Sequence, residues 1–241
     1  LTEILSILQS EFNDDDYLRA VTEYLRTYDR LDASLVEYMS QFGRLDVDVI
    51  GALRRQNKLI LAQYLTNPQS FARTVWLPLG ATIAAAISSE QPIVDAINAG
   101  KGLLTGADTE TGIGPLIRDA ADVSEESLRT HDKRTTKAAA DQTEIEFYLF
   151  QGSDIDSTRE WCDVRSGHAW HVEEIKEWGR QAAAGNGWDG MVEGTDEETI
   201  FVYLGGWYGR QKGCRHILVP IARVDVPASD LARMRAKGLV E

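Results

Sequence analysis

The spacing of apolar residues predicts that the first part of the chain is helical. After Asp14, Asp15 and Asp16, apolar side chains recur at steps of three and four residues as far as Phe42, and Gly43 follows as a helix end. Aspartate suits the start of a helix because its carboxylate accepts hydrogen bonds from the free backbone N–H groups there. We therefore expect one long amphipathic helix in this region.

Further helices are expected as far as Gln142. They are a helix capped by Asp46 that ends before Pro68, two short helices over 81–87 and 92–99, and one from Ser124 to about Gln142. Residues 129–134 of the last helix are strongly polar, which predicts an exposed or inter-subunit surface. The whole of residues 1–145 is thus predicted to be a mainly helical region.

The hydrophobic period changes after residue 145. Strands are predicted over Glu146–Gln151, Thr199–Leu204 and Ile217–Ile221, and helices over Val172–Ala184 and Ser229–Lys237. Proline donates no backbone hydrogen bond, so Pro220 requires the last strand to lie at a sheet edge or to end there. The fold class predicted is α+β: a helical N-terminal region, residues 1–145, followed by a small α+β C-terminal module, residues 146–241.

The amino-acid composition excludes some classes of protein. The 241 residues are 43% hydrophobic and 26% charged, as in globular proteins that bury a core. The most apolar run, Val75–Ser88, contains Pro78 and Gly80 and is too short to span a bilayer. A net charge of −13 argues against binding to DNA phosphates and against a polybasic membrane surface. We therefore expect no membrane partner and no nucleic-acid-binding module.

Two segments are candidate interaction surfaces. No Asp or Glu occurs from Val49 to Ser89, where the basic residues are Arg54, Arg55, Lys58 and Arg73. This stretch either docks on an acidic partner or forms the solvated face of a helix. A glycine-rich segment from Gly205 to Gly213 carries Trp207, Tyr208 and Arg210. It is either a hairpin tip that inserts into a neighbour or a flexible surface loop.

Cysteine and histidine are concentrated after residue 145, at Cys162, His168, His171, Cys214 and His216. Zinc could be held by Cys162, His168, Cys214 and His216, but their spacing differs from the usual Cys-x2-4-Cys pairs. The other interpretations are a Cys162–Cys214 disulfide in an oxidising environment, a cysteine nucleophile, or two buried thiols with histidines as hydrogen-bond partners. The last interpretation is favoured, and no cofactor is expected.

One combination of residues indicates a particular protein family more specifically than any of its residues does alone. It consists of Asp156, Arg159, Cys162, Gly167, Glu173-Glu174-Ile175, Gly205-Gly206, Cys214-Arg215-His216 and Pro220. In this combination the chain resembles the phage head-morphogenesis family, the minor head proteins similar to phage Mu protein F. The resemblance covers residues 156–220. Seven residues separate Gly206 from Cys214, which is a longer spacer than is usual in that family.

The resemblance implies a structural virion protein of a tailed bacteriophage. It would be a minor head protein at the portal vertex, assembled in the host cytoplasm, that assists head assembly and the head–tail connection. Its implied partners are the portal protein and other capsid or neck proteins, with self-association in a ring as a further expectation and DNA only as a passing neighbour. The alternatives are a head-to-tail connector (adaptor) ring subunit or, from another class, a zinc- or cysteine-dependent hydrolase carried by the particle.

The resemblance also implies roles for individual residues. Arg159 would make a buried charge-assisted contact to Asp156 or to a backbone carbonyl. Cys162, Cys214 and His216 would join the first loop of the module to its last strand, by packing or by a metal. The implied role is structural, so no enzymatic activity is expected. The acidity of the chain fits a subunit beside a DNA passage, because negative charge repels passing phosphate.

Overall fold

The computed structural model describes residues 14–67, 115–152, 158–207 and 214–241, together with a few single positions between 81 and 98. Helices dominate the N-terminal part and a three-stranded antiparallel sheet lies in the C-terminal part, which confirms the α+β class. Contacts group the chain into two compact units: Leu1–Thr27 with Gln56–Ser127, and Tyr28–Arg55 with Leu128–Glu241. The predicted boundary between residues 145 and 146 stays a prediction.

Three long helices are described before the sheet: α1 (Asp15–Met39), α2 (Val47–Thr66) and α3 (Pro115–Gln142). Asp14 Oδ1 accepts hydrogen bonds from the backbone N–H groups of Asp16 and Tyr17 at 2.9 and 3.1 Å. Asp46 Oδ1 accepts in the same way from Asp48 at 2.9 Å. Both predicted caps are therefore confirmed, and each satisfies backbone donors that a helix start leaves free.

The first unit is held together by apolar packing and by tyrosine hydrogen bonds. Leu61 and Leu65 of α2 are buried. Tyr17 donates its hydroxyl hydrogen to the carbonyl of Leu65 at 2.7 Å, and Tyr64 donates to Asp119 Oδ2 at 2.7 Å. Leucine side chains of this unit are thus buried, and both tyrosine hydroxyls have a hydrogen-bond partner.

Helix α3 differs from its prediction in two ways. It begins at Pro115 rather than Ser124, and proline suits this first position because it has no N–H to leave unsatisfied. The polar stretch 129–134 is also partly buried rather than fully exposed, since His131 and Lys133 are 0% and 7% exposed. His131 Nε2 lies 2.7 Å from Asp32 Oδ1, and such a partner makes burial of a polar ring tolerable. The predicted helices over 81–87 and 92–99 lie outside the continuously described residues.

The sheet has the strand order β2-β1-β3, with all pairs antiparallel. Its strands are β1 (Phe147–Gln151), β2 (Ala169–His171) and β3 (Ile217–Ile221). Tyr148 lies opposite Trp170 on one side and Pro220 on the other, so Pro220 is on an edge strand as predicted. Tyr38 of α1 donates its hydroxyl hydrogen to the carbonyl of Pro220 at 2.5 Å.

Short helices connect the strands: α4 (Glu160–Asp163), α5 (Val172–Ala183), α6 (Ile200–Tyr203), α7 (Ala228–Ala236) and a 3-10 turn at Arg223–Asp225. The prediction of a strand over Thr199–Leu204 was wrong, because α6 occupies this segment. Asp196 Oδ1 accepts from the backbone N–H groups of Glu198 and Thr199, which starts a helical turn. Strand β2 and helix α4 were not predicted.

The two faces of β1 pack against different clusters. Tyr148 and Phe150 point into the main core of the second unit, which also contains Cys162, Ile175, Trp178, Ile200, Leu204 and Cys214. Phe147 points the other way, into a smaller cluster with Ala169, Val226 and Met234. Alternation along a strand explains this division, and it places both cysteines in the main core.

Candidate functional site

Arg159 holds two loops together just before α4. Its backbone carbonyl accepts hydrogen bonds from Cys162 and Asp163 at 2.8 and 2.9 Å, which begins that helix. Its guanidinium donates to the backbone carbonyl of Trp207. A Cβ atom on Gly190 would lie 2.5 Å from Arg159 Nε, so the guanidinium passes close to the backbone of Gly190. Arg159 thus fixes the chain around residue 207 to the start of α4; Asp156 lies outside the described residues.

Gly205 and Gly206 permit a close approach of backbone to side chains. A Cβ atom on Gly205 would overlap Cys162 Sγ, and one on Gly206 would overlap the carbonyl oxygen of Gly190. Gly206 also has a φ of 103°, in the left-handed region that L side chains rarely adopt. A side chain also holds this backbone in place, because Trp188 Nε1 donates a hydrogen bond to the carbonyl of Gly205 at 3.1 Å.

Cys162, Cys214 and His216 meet behind this glycine pair. One donor atom from each lies within 4.8 Å of the other two, and all three side chains are buried. Cys162 comes from α4, and the other two come from the segment that leads into β3. Gly205 donates its backbone N–H to Cys214 Sγ at 3.4 Å. We call Cys162, Gly205, Cys214 and His216 the cysteine–histidine corner.

The two thiols differ in acidity. A hydrogen bond with Cys214 and burial raise the pKa of the Cys162 thiol. The hydrogen bond from Cys162 lowers the pKa of the Cys214 thiol despite its burial, with further help from His216, from the charge of Lys133 and from the N–H of Gly205. Cys214 is therefore the more acidic thiol of the pair.

Of the sequence-predicted metal ligands, His168 does not join the corner. Its Nδ1 lies 3.1 Å from Asp230 Oδ1, and its side chain is 54% exposed. Gly167, just before it, has a φ of 75° and donates its N–H to the carbonyl of Phe150 at 2.9 Å, so it shapes the turn into β2. Arg215 is exposed between two buried neighbours. The corner therefore contains three of the four candidate ligands.

Lys133 is part of the site although its residue pattern gave no sign of it. It is buried in α3, and its Nζ donates to the carbonyl oxygens of Cys214 at 2.7 Å and Val202 at 3.2 Å. Burial lowers the pKa of this ammonium group. A lysine within a polar stretch of a helix is expected from the sequence to be exposed to solvent. Its role follows from a tertiary contact with Cys214, which the sequence does not show.

Four tryptophans pack beside the corner. Trp161 stacks on Trp188 with ring centroids 4.3 Å apart, and Trp178 meets Trp161 and Trp170 edge to face. The Arg165 guanidinium lies 4.1 Å from the Trp161 ring centroid, and burial lowers its pKa to about 10. Four of the five tryptophans after residue 145 thus form one connected aromatic layer, which includes Trp161 of α4.

The predicted interface residues have different surroundings. Arg54 lies 3.4 Å from Asp29 and 3.5 Å from Asp32, so it already has acidic partners within the second unit. Arg55 is exposed, Lys58 is half-buried and Trp207 is half-buried. Arg73, Tyr208 and Arg210 lie outside the described residues. Docking through any of these side chains stays a prediction.

Comparison with protein-family models, with curated proteins and with solved structures gave no match for this chain. Among the described residues, no helix combines the length and the apolar character needed to cross a membrane. The cysteine–histidine corner and its supporting residues are therefore interpreted from their own geometry. They form a buried link between α3, α4 and the segment entering β3.

Proposed function

We propose that the protein is a structural virion component of a tailed bacteriophage, a minor head protein at the portal vertex that assists head assembly and the head–tail connection. The observation that carries this proposal is the meeting of distant motif residues. Cys162 packs on Gly205, Gly205 donates to Cys214, and the Arg159 guanidinium reaches the residue after the glycine pair. Motif residues between Arg159 and Cys214 that lie far apart in the sequence thus act as one structural unit, which supports the family resemblance.

Burial of the motif side chains favours a structural role over a catalytic one. Cys162 and Cys214 are 2% and 5% exposed, and both lie in the main core. A cysteine nucleophile has to reach its substrate and a base at the same time. Sulfur atoms that are buried in the core beside Gly205 are better suited to holding two segments together. This supports the minor head protein over the hydrolase.

Charge supports a position near packaged DNA. The chain has 38 acidic and 25 basic residues, a net charge of −13. Phosphate is repelled by such a surface, so DNA can pass without adhering to it. The three long helices α1, α2 and α3 provide extended surfaces for the portal protein and for neighbouring capsid or neck proteins.

The proposal is tested on purified particles of the phage that encodes the chain. Quantitative mass spectrometry is expected to find the protein in purified particles at a copy number far below that of the major capsid protein. Electron cryo-microscopy is expected to place it at the portal vertex. Synthesis of the protein in infected cells without its presence in particles or in assembly intermediates contradicts the proposal.

The same electron cryo-microscopy images distinguish a minor head protein from a head-to-tail connector subunit. A complete ring of copies beneath the portal, with density between head and tail, identifies an adaptor subunit. Internal or scattered copies near the portal identify a minor head protein. Metal-dependent or thiol-dependent hydrolysis by the purified chain, abolished by substitution of Cys214, would instead favour the enzyme.

A further inference from the structure

The donor atoms of the cysteine–histidine corner have the separations that a metal ion requires. Two sulfurs and one imidazole nitrogen lie within 4.8 Å of one another. Zinc binds thiolate sulfur at about 2.3 Å and imidazole nitrogen at about 2.0–2.1 Å in a tetrahedron, so its ligands stand about 3.3–3.8 Å apart. The three side chains therefore need only small movements to surround one ion.

The surroundings of the corner hold Cys214 and Cys162 in place. Gly205 donates its N–H to Cys214 Sγ at 3.4 Å, and Lys133 holds the carbonyl of Cys214 at 2.7 Å. The absence of a side chain on Gly205 lets its backbone pack directly on Cys162 Sγ. Backbone donors and outer-shell contacts of this kind fix ligand orientation before a metal arrives.

Charge balance in the core favours a divalent ion with these ligands. Two thiolates and a neutral imidazole cancel the charge of Zn2+, and a neutral complex avoids the cost of a buried charge. Two sulfur ligands with one imidazole are preferred by zinc over calcium or magnesium, which bind oxygen. The chain has only two cysteines, and both are in the corner.

We propose that Cys162, Cys214 and His216 bind one Zn2+ ion. The ion links α4 to the segment that enters β3 and so closes the module between residues 162 and 216. This inference does not depend on a virion role, because it concerns the chemistry of three buried side chains. His168 takes no part, since it contacts Asp230.

The test measures metal in the full-length chain purified without chelators. Inductively coupled plasma mass spectrometry is expected to find one zinc per chain. Substitutions Cys214→Ser and His216→Ala are expected to remove it, whereas the matched control His168→Ala retains it. Retention of zinc by His216→Ala, or its loss from His168→Ala alone, contradicts the proposed ligand set.

A second measurement uses wild-type protein, so it does not depend on a variant folding. Zinc is removed with a chelator and Co2+ is added as a spectroscopic probe. Tetrahedral ligand-field bands and a thiolate charge-transfer band are expected, together with a higher melting temperature. In a folded His216→Ala variant, we expect Co2+ affinity to fall by about 100-fold or more, beyond the loss typical of an outer-shell change.

Two results overturn the proposal. One is a folded, reduced wild-type chain that contains no zinc and gives no Co2+ spectrum or melting shift. The other is a Cys162–Cys214 disulfide in the purified protein that persists when zinc is supplied throughout expression and purification, detected by mass spectrometry under non-reducing conditions. Both leave the proposed virion role intact, because that role is measured by the presence of the protein in particles.

Discussion

Gly205 is the most constrained residue of the cysteine–histidine corner. Its Cα faces Cys162 Sγ so closely that a methyl group would overlap the sulfur, while its N–H donates to Cys214. The carbonyl of the same residue accepts from Trp188. One backbone position thus contacts three side chains, and any added volume has to displace at least one of them.

Gly205→Ala is therefore expected to destabilise the protein by about 1–3 kcal/mol, the usual cost of overpacking a core. The measurement is the free energy of unfolding from urea titration. Gly51→Ala is the matched control, because Gly51 lies inside α2 and its added methyl group would meet only flexible arginine ends at 3.4 Å or more. A helix interior favours alanine, so this control is expected to be neutral or stabilising. Equal destabilisation of both variants contradicts the argument.

Glu174 shows how a buried carboxylate is satisfied. It is 5% exposed at the start of α5, where it accepts from the N–H of His171 at 3.1 Å, from Lys237 Nζ at 2.9 Å and from Arg233. Burial alone would raise its pKa, but the hydrogen bonds from Lys237, Arg233 and His171 hold the pKa below its ordinary value. The network joins α5 to the C-terminal helix α7.

The lowered pKa of Glu174 predicts an acid-dependent contribution to stability. A carboxyl with a depressed folded-state pKa stabilises the fold fully above its unfolded pKa of about 4.3. That stabilisation is lost as the pH falls through the folded-state value. Glu174→Gln is expected to lower the free energy of unfolding by about 1–3 kcal/mol at neutral pH and to flatten its decline in acid. Urea titrations across this range measure both effects.

Glu177→Gln is the control for this pH prediction. Glu177 lies on the same helix but at its solvent-facing side, where it pairs with Arg180 at 2.9 Å. Exposed ion pairs contribute little, so we expect this variant to follow the wild-type pH profile. If Glu174→Gln also follows that profile, the buried network is not a source of acid sensitivity.

At the scale of whole elements, α3 contributes more to the second unit than its sequence suggested. Lys133 donates to carbonyl groups before β3 and at the end of α6, and burial lowers its pKa. An unfolded lysine keeps its proton up to a pH of about 10.4. Between the lowered pKa and this value the unfolded chain binds more protons, so stability rises with pH.

Lys133→Met is expected to remove this alkaline rise in stability. The measurement compares the free energy of unfolding of the variant and of the wild type as the pH is raised towards about 10.4. The difference between the two profiles is the contribution of the Lys133 ammonium group. Lys137→Met is the control, because Lys137 lies one turn away and pairs with Asp141 near the surface. If the wild-type rise persists in Lys133→Met, the buried ammonium is not its source.

Element prediction succeeded where a local signal was sufficient. The caps at Asp14 and Asp46 and the edge position of Pro220 each follow from hydrogen bonds that one residue can or cannot make. The prediction for Thr199–Leu204 failed because a short apolar run is typical of a buried strand as well as of a buried helical turn, and Ile200, Phe201 and Leu204 are buried in such a turn. Strand β2 has three residues, too few to show a period.

Only part of the candidate site could be predicted from the sequence, because some of its contacts join residues that are far apart in the chain. Cys162, Cys214 and His216 were grouped by the family resemblance, and the structure brings them together. His168 could not be separated from them by residue type, since its partner Asp230 lies 62 residues away. Lys133 was missed because it lies on another element, 81 residues before Cys214. Tertiary proximity, rather than local pattern, decides both cases.

For the whole molecule, charge is the property that bears most directly on partners. The net charge of −13 coexists with an acid-free segment from Val49 to Ser89. Within this segment Arg54 is paired with Asp29 and Asp32, whereas Arg55 is exposed. A docking contribution from this segment is therefore best tested with Arg55 rather than with Arg54.

The substitution Arg55→Glu is expected to reduce incorporation of the protein into particles several-fold while the circular dichroism spectrum and melting temperature stay unchanged. Reversed charge replaces attraction to an acidic partner with repulsion, and the effect should weaken as salt is added during assembly in vitro. Arg19→Glu is the control, since Arg19 is an exposed base of α1 that pairs with its neighbour Asp16. Normal incorporation of the Arg55→Glu variant would mean that the acid-free segment is a solvated helix face.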